Sequence, residues 1–195
     1  MDDAERRITR AVFARMETTD IPKIKVADVI KDANVSRSTF YRRFDSVDDV
    51  VKRFEDALLD NMRSINDVAI KARFTTAELN ATAAMINRME VLSTYRDQIV
   101  ALNGPHGDPT FSHKATVFMH DHLSKRISDV LGPSVDLELY LAFMLAGHHN
   151  LVQYWLEKCP EVPPRKVANA LNRMFYAPFF LRDDESELPR HINLD

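Results

Sequence analysis

Apolar residues recur along this chain at intervals of three and four, the period of helices buried on one side. Ile8, Ala11, Val12 and Phe13 mark a first helix over Asp3 to Thr18, and Pro22 ends any continuation. Val26, Val29, Ile30 and Ala33 form a second, shorter stripe. Asn34 follows it, a residue that tolerates the left-handed conformation of a helix end. Ser36 suits the cap of a third helix, and Val35 and Phe40 are placed to staple its entry. Phe40 and Phe44 lie one turn apart on that helix, while Ser38, Thr39, Arg42 and Arg43 point elsewhere, with Tyr41 and Arg37 at the margins. A fourth helix opens at Ser46, with Asp49 three residues on as a carboxylate capping box. Its stripe of Val47, Val50, Val51, Phe54, Leu58, Met62 and Ile65 continues for about five turns.

The remaining pattern is also helical. Between Lys23 and Asn103 there is neither proline nor glycine, which implies helices joined by short polar turns. A fifth helix is predicted from Thr75, with Glu78 completing a capping box, to the NGPHGDP loop at 103–109. A sixth runs from Thr110 to Leu131 and a seventh from Ser134 or Asp136 to Lys158. The eighth begins at Pro163-Pro164 and runs toward Leu181, with Val167, Ala170, Leu171, Met174 and Phe175 on one face and Pro178 bending its end. No segment alternates with period two between turn signals, so the fold class is all-α. We expect a first domain over residues 1–55, a second over 56–182, and a partly disordered polar tail over 183–195.

Composition changes this picture in a few places. The net charge is −3, and residues 1–63 carry 13 Lys or Arg against 13 Asp or Glu. Any attraction to phosphate must therefore be local: Arg37, Arg42 and Arg43 cluster with no acid between them. No run approaches the ~20 apolar residues that cross a bilayer. The charged start MDDAERR is unlike a secretory signal. The single cysteine, Cys159, allows no internal disulfide and fits a reducing cytoplasm. No P-loop, GxGxxG, GxSxG or HExxH occurs, so neither an enzyme, a cofactor nor a metal is expected. His113 and His120, seven apart, share a helix face without forming a ligand set.

The run NVSRSTFYRRF, with the apolar helix before it and SVDDVV after it, resembles the helix-turn-helix of the TetR family of transcriptional regulators over roughly residues 6 to 60. The resemblance implies a regulator that binds a double-stranded DNA operator through Arg37, Ser38, Thr39, Tyr41, Arg42 and Arg43. Arg37, near the start of the reading helix, has the geometry to pair with guanine O6 and N7. Thr39 suits a thymine methyl or a phosphate, Tyr41 and Arg43 suit phosphates, and Arg42 suits either. Three positions depart from the family pattern. Asn34 stands for a glycine, Lys25 for a capping threonine, and Val47 for a phosphate-gripping lysine.

One short helix reads few base pairs, so a twofold mate and a palindromic operator are expected. The seventh helix, LELYLAFMLAGHHNLVQYWLEK, is apolar nearly all round, which predicts burial on two sides. Gly147 in its interior costs about 1 kcal/mol against alanine unless a close helix needs the space. AGHHNLVQYWLE also resembles the C-terminal part of one TetR subgroup, which implies a homodimer through the last two helices, about 134–158 and 163–181. Family members of this kind are commonly repressors that release DNA when a small effector binds between the fourth and seventh helices. Met62, Met85, Met89, Tyr95, Phe111, Phe118 and Phe143 are the candidate pocket lining. The alternative reading is a dimeric ligand- or partner-binding module whose DNA-binding motif has degenerated.

Overall fold

The computed structural model describes residues 2–71, 83–131 and 135–176. Among these residues there is no strand, and the architecture is all-α. Helix α1 spans Asp3–Met16, α2 Val26–Ala33, α3 Arg37–Tyr41 and α4 Val47–Lys71. They are followed by α5 (Ala83–Thr94), α6 (Arg96–Asn103), α7 (Phe111–Leu131), α8 (Val135–Lys158) and α9 (Pro164–Leu171). A single 3-10 turn at Ile21–Lys23 carries Pro22 between α1 and α2.

The first four helices follow their apolar stripes. Ile8, Ala11, Val12 and Phe13 of α1 are buried, as are Val29 and Ala33 of α2. Phe40 and Phe44 join the same cluster, and all seven stripe residues of α4 from Val47 to Ile65 are buried in it. Phe13 and Phe54 meet with ring centroids 4.8 Å apart, which locks α1 onto α4. The core continues without a break into Met89, Leu102, Trp155 and Leu171, so α4 from Val47 to Ile65 packs with both parts of the chain.

Two predicted helices differ from expectation. The fifth is two helices, because Tyr95 leaves helical geometry at φ −104°, ψ 25°. Several local bonds hold that break. The Thr94 hydroxyl donates to the Glu90 carbonyl, a side-chain bond that competes with the helix ladder. Tyr95 packs edge-on against Phe54 at 5.6 Å, and Arg96 Nε donates to the Leu156 carbonyl at 2.6 Å. The eighth predicted helix keeps its α-helical ladder only to Leu171, and then widens into a π-helical turn over Asn172–Tyr176. The wider turn rotates the face: Asn172 is buried and Met174 is exposed, against the expected inward Met174. The start of the fifth helix at Thr75, the bend at Pro178 and the tail 183–195 lie outside the described residues.

Helix α8 packs against α7 and α9 with Leu141, Met144, Leu145, Val152, Trp155 and Leu156 buried. Its opposite face carries Leu139, Ala142, Phe143, Ala146, Asn150 and Tyr154, all exposed. Leu139 is 66% exposed, Phe143 70% and Tyr154 63%, which is unusual for three large apolar groups on one stripe. Among the described residues no helix is long and apolar enough to cross a membrane.

Candidate nucleic-acid interface

Helix α2 ends where Asn34 adopts φ 50°, ψ 55°, the left-handed geometry predicted for it. The Asn34 N–H returns to the Ile30 and Lys31 carbonyls, and the Val35 N–H to Ile30 at 3.1 Å. Arg7 of α1 donates to the Ala33 and Asn34 carbonyls at 3.3 and 3.1 Å, so the turn is also held from outside. Ser36 then caps α3, its oxygen accepting from the Thr39 N–H at 3.0 Å and donating to the Thr39 hydroxyl at 2.8 Å. Its oxygen also lies 2.9 Å from the Ser38 hydroxyl. Lys25, at the start of α2, makes no side-chain cap, as its chemistry requires.

Phe40 and Phe44, ring centroids 6.1 Å apart, fix α3 from behind. Arg37, Ser38, Tyr41 and Arg42 are exposed, and Thr39 and Arg43 are half-buried. The Arg37 guanidinium lies 5.4 Å from the centre of the Tyr41 ring, so these two side chains stack on each other. Arg43 is differently placed. Its guanidinium grips the Asp2 carboxylate, with Nη2 donating to Oδ2 at 2.6 Å and Nε at 3.0 Å, and its Nη1 donates to the Thr39 carbonyl. The bond from Arg43, with the Glu5 N–H, holds the Asp2 carboxyl down at about 2. Sequence spacing gave no hint of this pair, because its partners are 41 residues apart.

Helix α4 begins immediately beside this unit. Ser46 accepts from the Asp49 N–H at 3.1 Å, and Asp49 reaches back to the Asp45 N–H at 3.0 Å, one residue before the expected capping-box partner. Val47 is buried, so the position where the family carries a lysine serves the core here.

The second group of candidates divides. Met62, Phe111 and Phe118 line a cavity of about 100 Å³ between α4, α5, α6, α7 and α8. Met89 is buried in the core outside that lining, and Met85 packs at the core's margin. Tyr95 faces a separate groove beside α1 and α4. Phe143 points to solvent, because it stands two residues from Leu145 on α8, about 200° around the helix. Periodicity alone could not find the polar members of the cavity wall: Arg88, Asn103, Thr116, His148, His149 and Gln153. Burial first, then the charges of Arg88 and His149, push the His148 imidazole down to about 3. Burial lowers His149 as well.

Several polar ties join the later helices to the first part of the chain. Lys114 of α7 bonds Glu55 of α4 at 2.7 Å and Asp108 at 2.8 Å. Glu55 is only 2% exposed, and burial raises its carboxyl despite the lysine. Burial opposes ionisation of Asp108 too, but bonds from Lys114 and Thr110 prevail and hold it well below the carboxylate range. His106 meets Asp20, beside the 3-10 turn, at 2.7 Å. Gly107 next to it admits no side chain, since a Cβ would strike the Leu102 carbonyl. His113 and His120 line a shallow groove between α7 and α8, with His120 paired to Glu138 at 2.9 Å. Among the described residues no three His, Cys, Asp or Glu converge as metal ligands, and Cys159 is half-buried and free.

An all-helical chain whose second and third helices form this turn has the architecture of a helix-turn-helix transcriptional regulator. Residues 80–177, just over half the chain, match the TetR_C_8 family model, described as a transcriptional regulator C-terminal region. The chain belongs to the TetR family of transcriptional regulators. Among solved structures it is similar to a TetR transcriptional regulator from Streptococcus agalactiae 2603V, with 20% identity, TM-score 0.57, and coverage of 88% of this chain and 93% of that one. It is also similar to the dihydroxyacetone kinase operon activator DhaS, with 16% identity, TM-score 0.59, and coverage of 90% and 95%. At these identities the likeness concerns the fold. No curated protein matches the sequence.

Proposed function

We propose that this chain is a cytoplasmic, ligand-responsive repressor that binds a palindromic double-stranded DNA operator as a homodimer. The observation that carries the reading is the outward face of α3. Arg37, Ser38, Tyr41 and Arg42 are exposed on a helix fixed from behind by two buried phenylalanines and capped by Ser36. In this reading Arg37 pairs with a guanine edge, and unstacks from Tyr41 to do so. Tyr41 turns to phosphate, Arg42 to phosphate or base, Thr39 to a methyl or phosphate, and Ser38 lies at the edge of the contact. Arg43 contributes to phosphate binding only by sharing or leaving Asp2.

Residues 1–55 act as the DNA-binding unit and the following helices as the regulatory and dimerising one. Dimerisation uses α8 and α9, and the exposed stripe of α8 supports this. Ala142, Ala146 and Gly147 lie among its large residues, leaving room for the close approach of a twofold-related helix. Effector control runs along α4, whose Val47 packs with the reading unit and whose Met62 lines the cavity. DhaS is an activator by name, so kinship of fold leaves the direction of regulation to experiment.

The test is a mobility-shift titration of the intact protein on DNA from upstream of its own reading frame, at two salt concentrations. Salt-sensitive, sequence-selective binding is expected. Arg37→Ala should weaken it by about 1–3 kcal/mol and relax selectivity at one base pair per half-site. Tyr41→Ala should weaken all sequences alike. Absence of binding at low salt would favour a partner-binding module with a degenerate motif.

A further inference from the structure

We infer that Arg7 of α1 is a positioning residue for the reading helix: it sets the angle at which α3 leaves the turn. The inference rests on the DNA-reading function proposed above and names a residue that serves it without touching the duplex. Two successive peptides make the turn, and each is held at both ends. In the first, the Asn34 N–H returns to the Ile30 and Lys31 carbonyls, while the Ala33 carbonyl accepts from Arg7 Nη1 at 3.3 Å. In the second, the Val35 N–H returns to Ile30 at 3.1 Å, while the Asn34 carbonyl accepts from the same Nη1 at 3.1 Å. The amide ends are held within α2, and the carbonyl ends are held from α1.

A peptide is planar, so holding its N–H and its C=O holds its plane. Here the second plane fixes ψ of Asn34, and with it the direction in which Val35 and Ser36 enter α3. The position needs such a hold, because Asn34 stands at φ 50°, where a residue with a Cβ is less at ease than glycine. Arg7 is itself aimed, its Nε lying 3.1 Å from Asp3 Oδ2 one turn earlier on α1. Elsewhere along α1, Arg15 grips Asp32 on α2 and Asp2 grips Arg43 beyond α3; Arg7 grips the hinge between them. The Arg7 side chain is 42% exposed, so water can satisfy both carbonyls in its place. Loss of Arg7 therefore disturbs the direction of α3 more than it disturbs folding. Arg42 stands eight residues beyond Asn34, at the far end of the reading face. At about 10 Å from the turn, a swing of about 10° moves that end by about 2 Å, more than a hydrogen bond tolerates.

The test measures binding of the intact protein to its operator and to a scrambled duplex of equal length, at two salt concentrations. Arg7→Met keeps the stem and removes the donors. It should weaken operator binding on the order of tenfold, leave the scrambled duplex unaffected and keep the salt slope. Arg7→Lys, whose ammonium can reach the same carbonyls, should restore most of the loss. In the DNA-free protein, NMR residual dipolar couplings of the Arg37 to Tyr41 amides should turn relative to those of α1 in Arg7→Met, and not in Arg7→Lys. Equal losses on both duplexes, with a slope lowered by about one per subunit, would make Arg7 a phosphate contact and overturn the inference. Unchanged operator affinity in a folded Arg7→Met protein overturns it too, leaving Arg7 a residue of the fold alone. Should Arg7→Met fail to fold, Asn34→Gly decides. With Arg7 holding both peptides, the added freedom of glycine should weaken operator binding by no more than about twofold, and a larger loss overturns the inference. A wild-type protein that binds no duplex sinks the regulator reading instead. The dipolar couplings then still decide this one, and identical couplings in wild type and Arg7→Met overturn it.

Discussion

Helix α3 turns Arg37, Ser38, Tyr41 and Arg42 to solvent, whereas α8 turns Leu139, Phe143 and Tyr154. Both are exposed helix faces, but water treats them differently. The first is hydrated at little cost, so it can stand unoccupied and wait for a polyanion. The second leaves apolar area in water at roughly 25 cal/mol per Å², a penalty removed only by covering it. Under the proposed function, α3 meets a conditional partner and α8 a standing one.

Breaking the standing contact should have the largest effect. Phe143→Asp places a charge at the centre of the α8 face and is expected to yield a folded monomer, read by light scattering with helical content unchanged. Operator affinity should fall on the order of 10²–10⁴-fold, because the second half-site is no longer held nearby. A dimeric Phe143→Asp protein would show that another face joins the subunits. Phe40→Ala should act quite differently. Phe40 is fully buried beside Phe44, and removing its ring should cost about 3–5 kcal/mol in denaturant unfolding. There DNA binding is lost through folding, with the exposed residues of α3 untouched.

The same contrast separates what could be read in the sequence from what could not. The α2–α3 unit was legible because its causes are local. Asn34 turns the chain, Ser36 caps it three residues from Thr39, and Phe40 and Phe44 repeat at one turn. The apolar surplus of α8 was legible too, since it is a property of one continuous stretch. Pocket lining was not, because Met62, Phe111 and Phe118 converge only through packing, while Phe143, equally apolar, lies on the far side of its helix. Long-range polar ties left no local trace: Asp2 with Arg43, Glu55 with Lys114, and His106 with Asp20. The break at Tyr95 was hidden for another reason. Neither proline nor glycine marks it, and it is held by Phe54 and the Leu156 carbonyl.

A smaller effect is expected at the edge of the reading face. Asp2 caps α1 and occupies Arg43, so the guanidinium proposed to border the DNA also serves the fold. Its folded carboxyl, at about 2, lies below the unfolded value of about 3.9. Its contribution is therefore present above the unfolded value and is lost as pH falls from about 4 toward 2. Asp2→Asn should remove that acid-range slope in stability. It should also free Arg43 for phosphate and steepen the salt dependence of operator binding by about one unit per subunit. An unchanged slope would mean that Arg43 remains a structural residue in the complex.

The smallest effect distinguishes the two caps of the motif. Ser36 bonds the Thr39 N–H, and Ser36→Ala should cost about 1 kcal/mol. Lys25 occupies the corresponding place on α2 in extended geometry, φ −89° and ψ 131°, which already suits a capping residue. Lys25→Thr should therefore stabilise the fold, but by less than the loss at Ser36. The Asp28 N–H that a threonine oxygen would take already reaches the Lys25 carbonyl at 3.0 Å, so the new bond supplements or replaces an existing one instead of filling a vacancy. A gain of about 0.5 kcal/mol, raising the unfolding midpoint by about 1–2 °C, is the expected reading. Because Lys25 lies outside the α3 face, operator affinity at a fixed salt concentration should stay the same. A fall in affinity on losing this cation would place the start of α2 against the DNA backbone and widen the interface beyond α3.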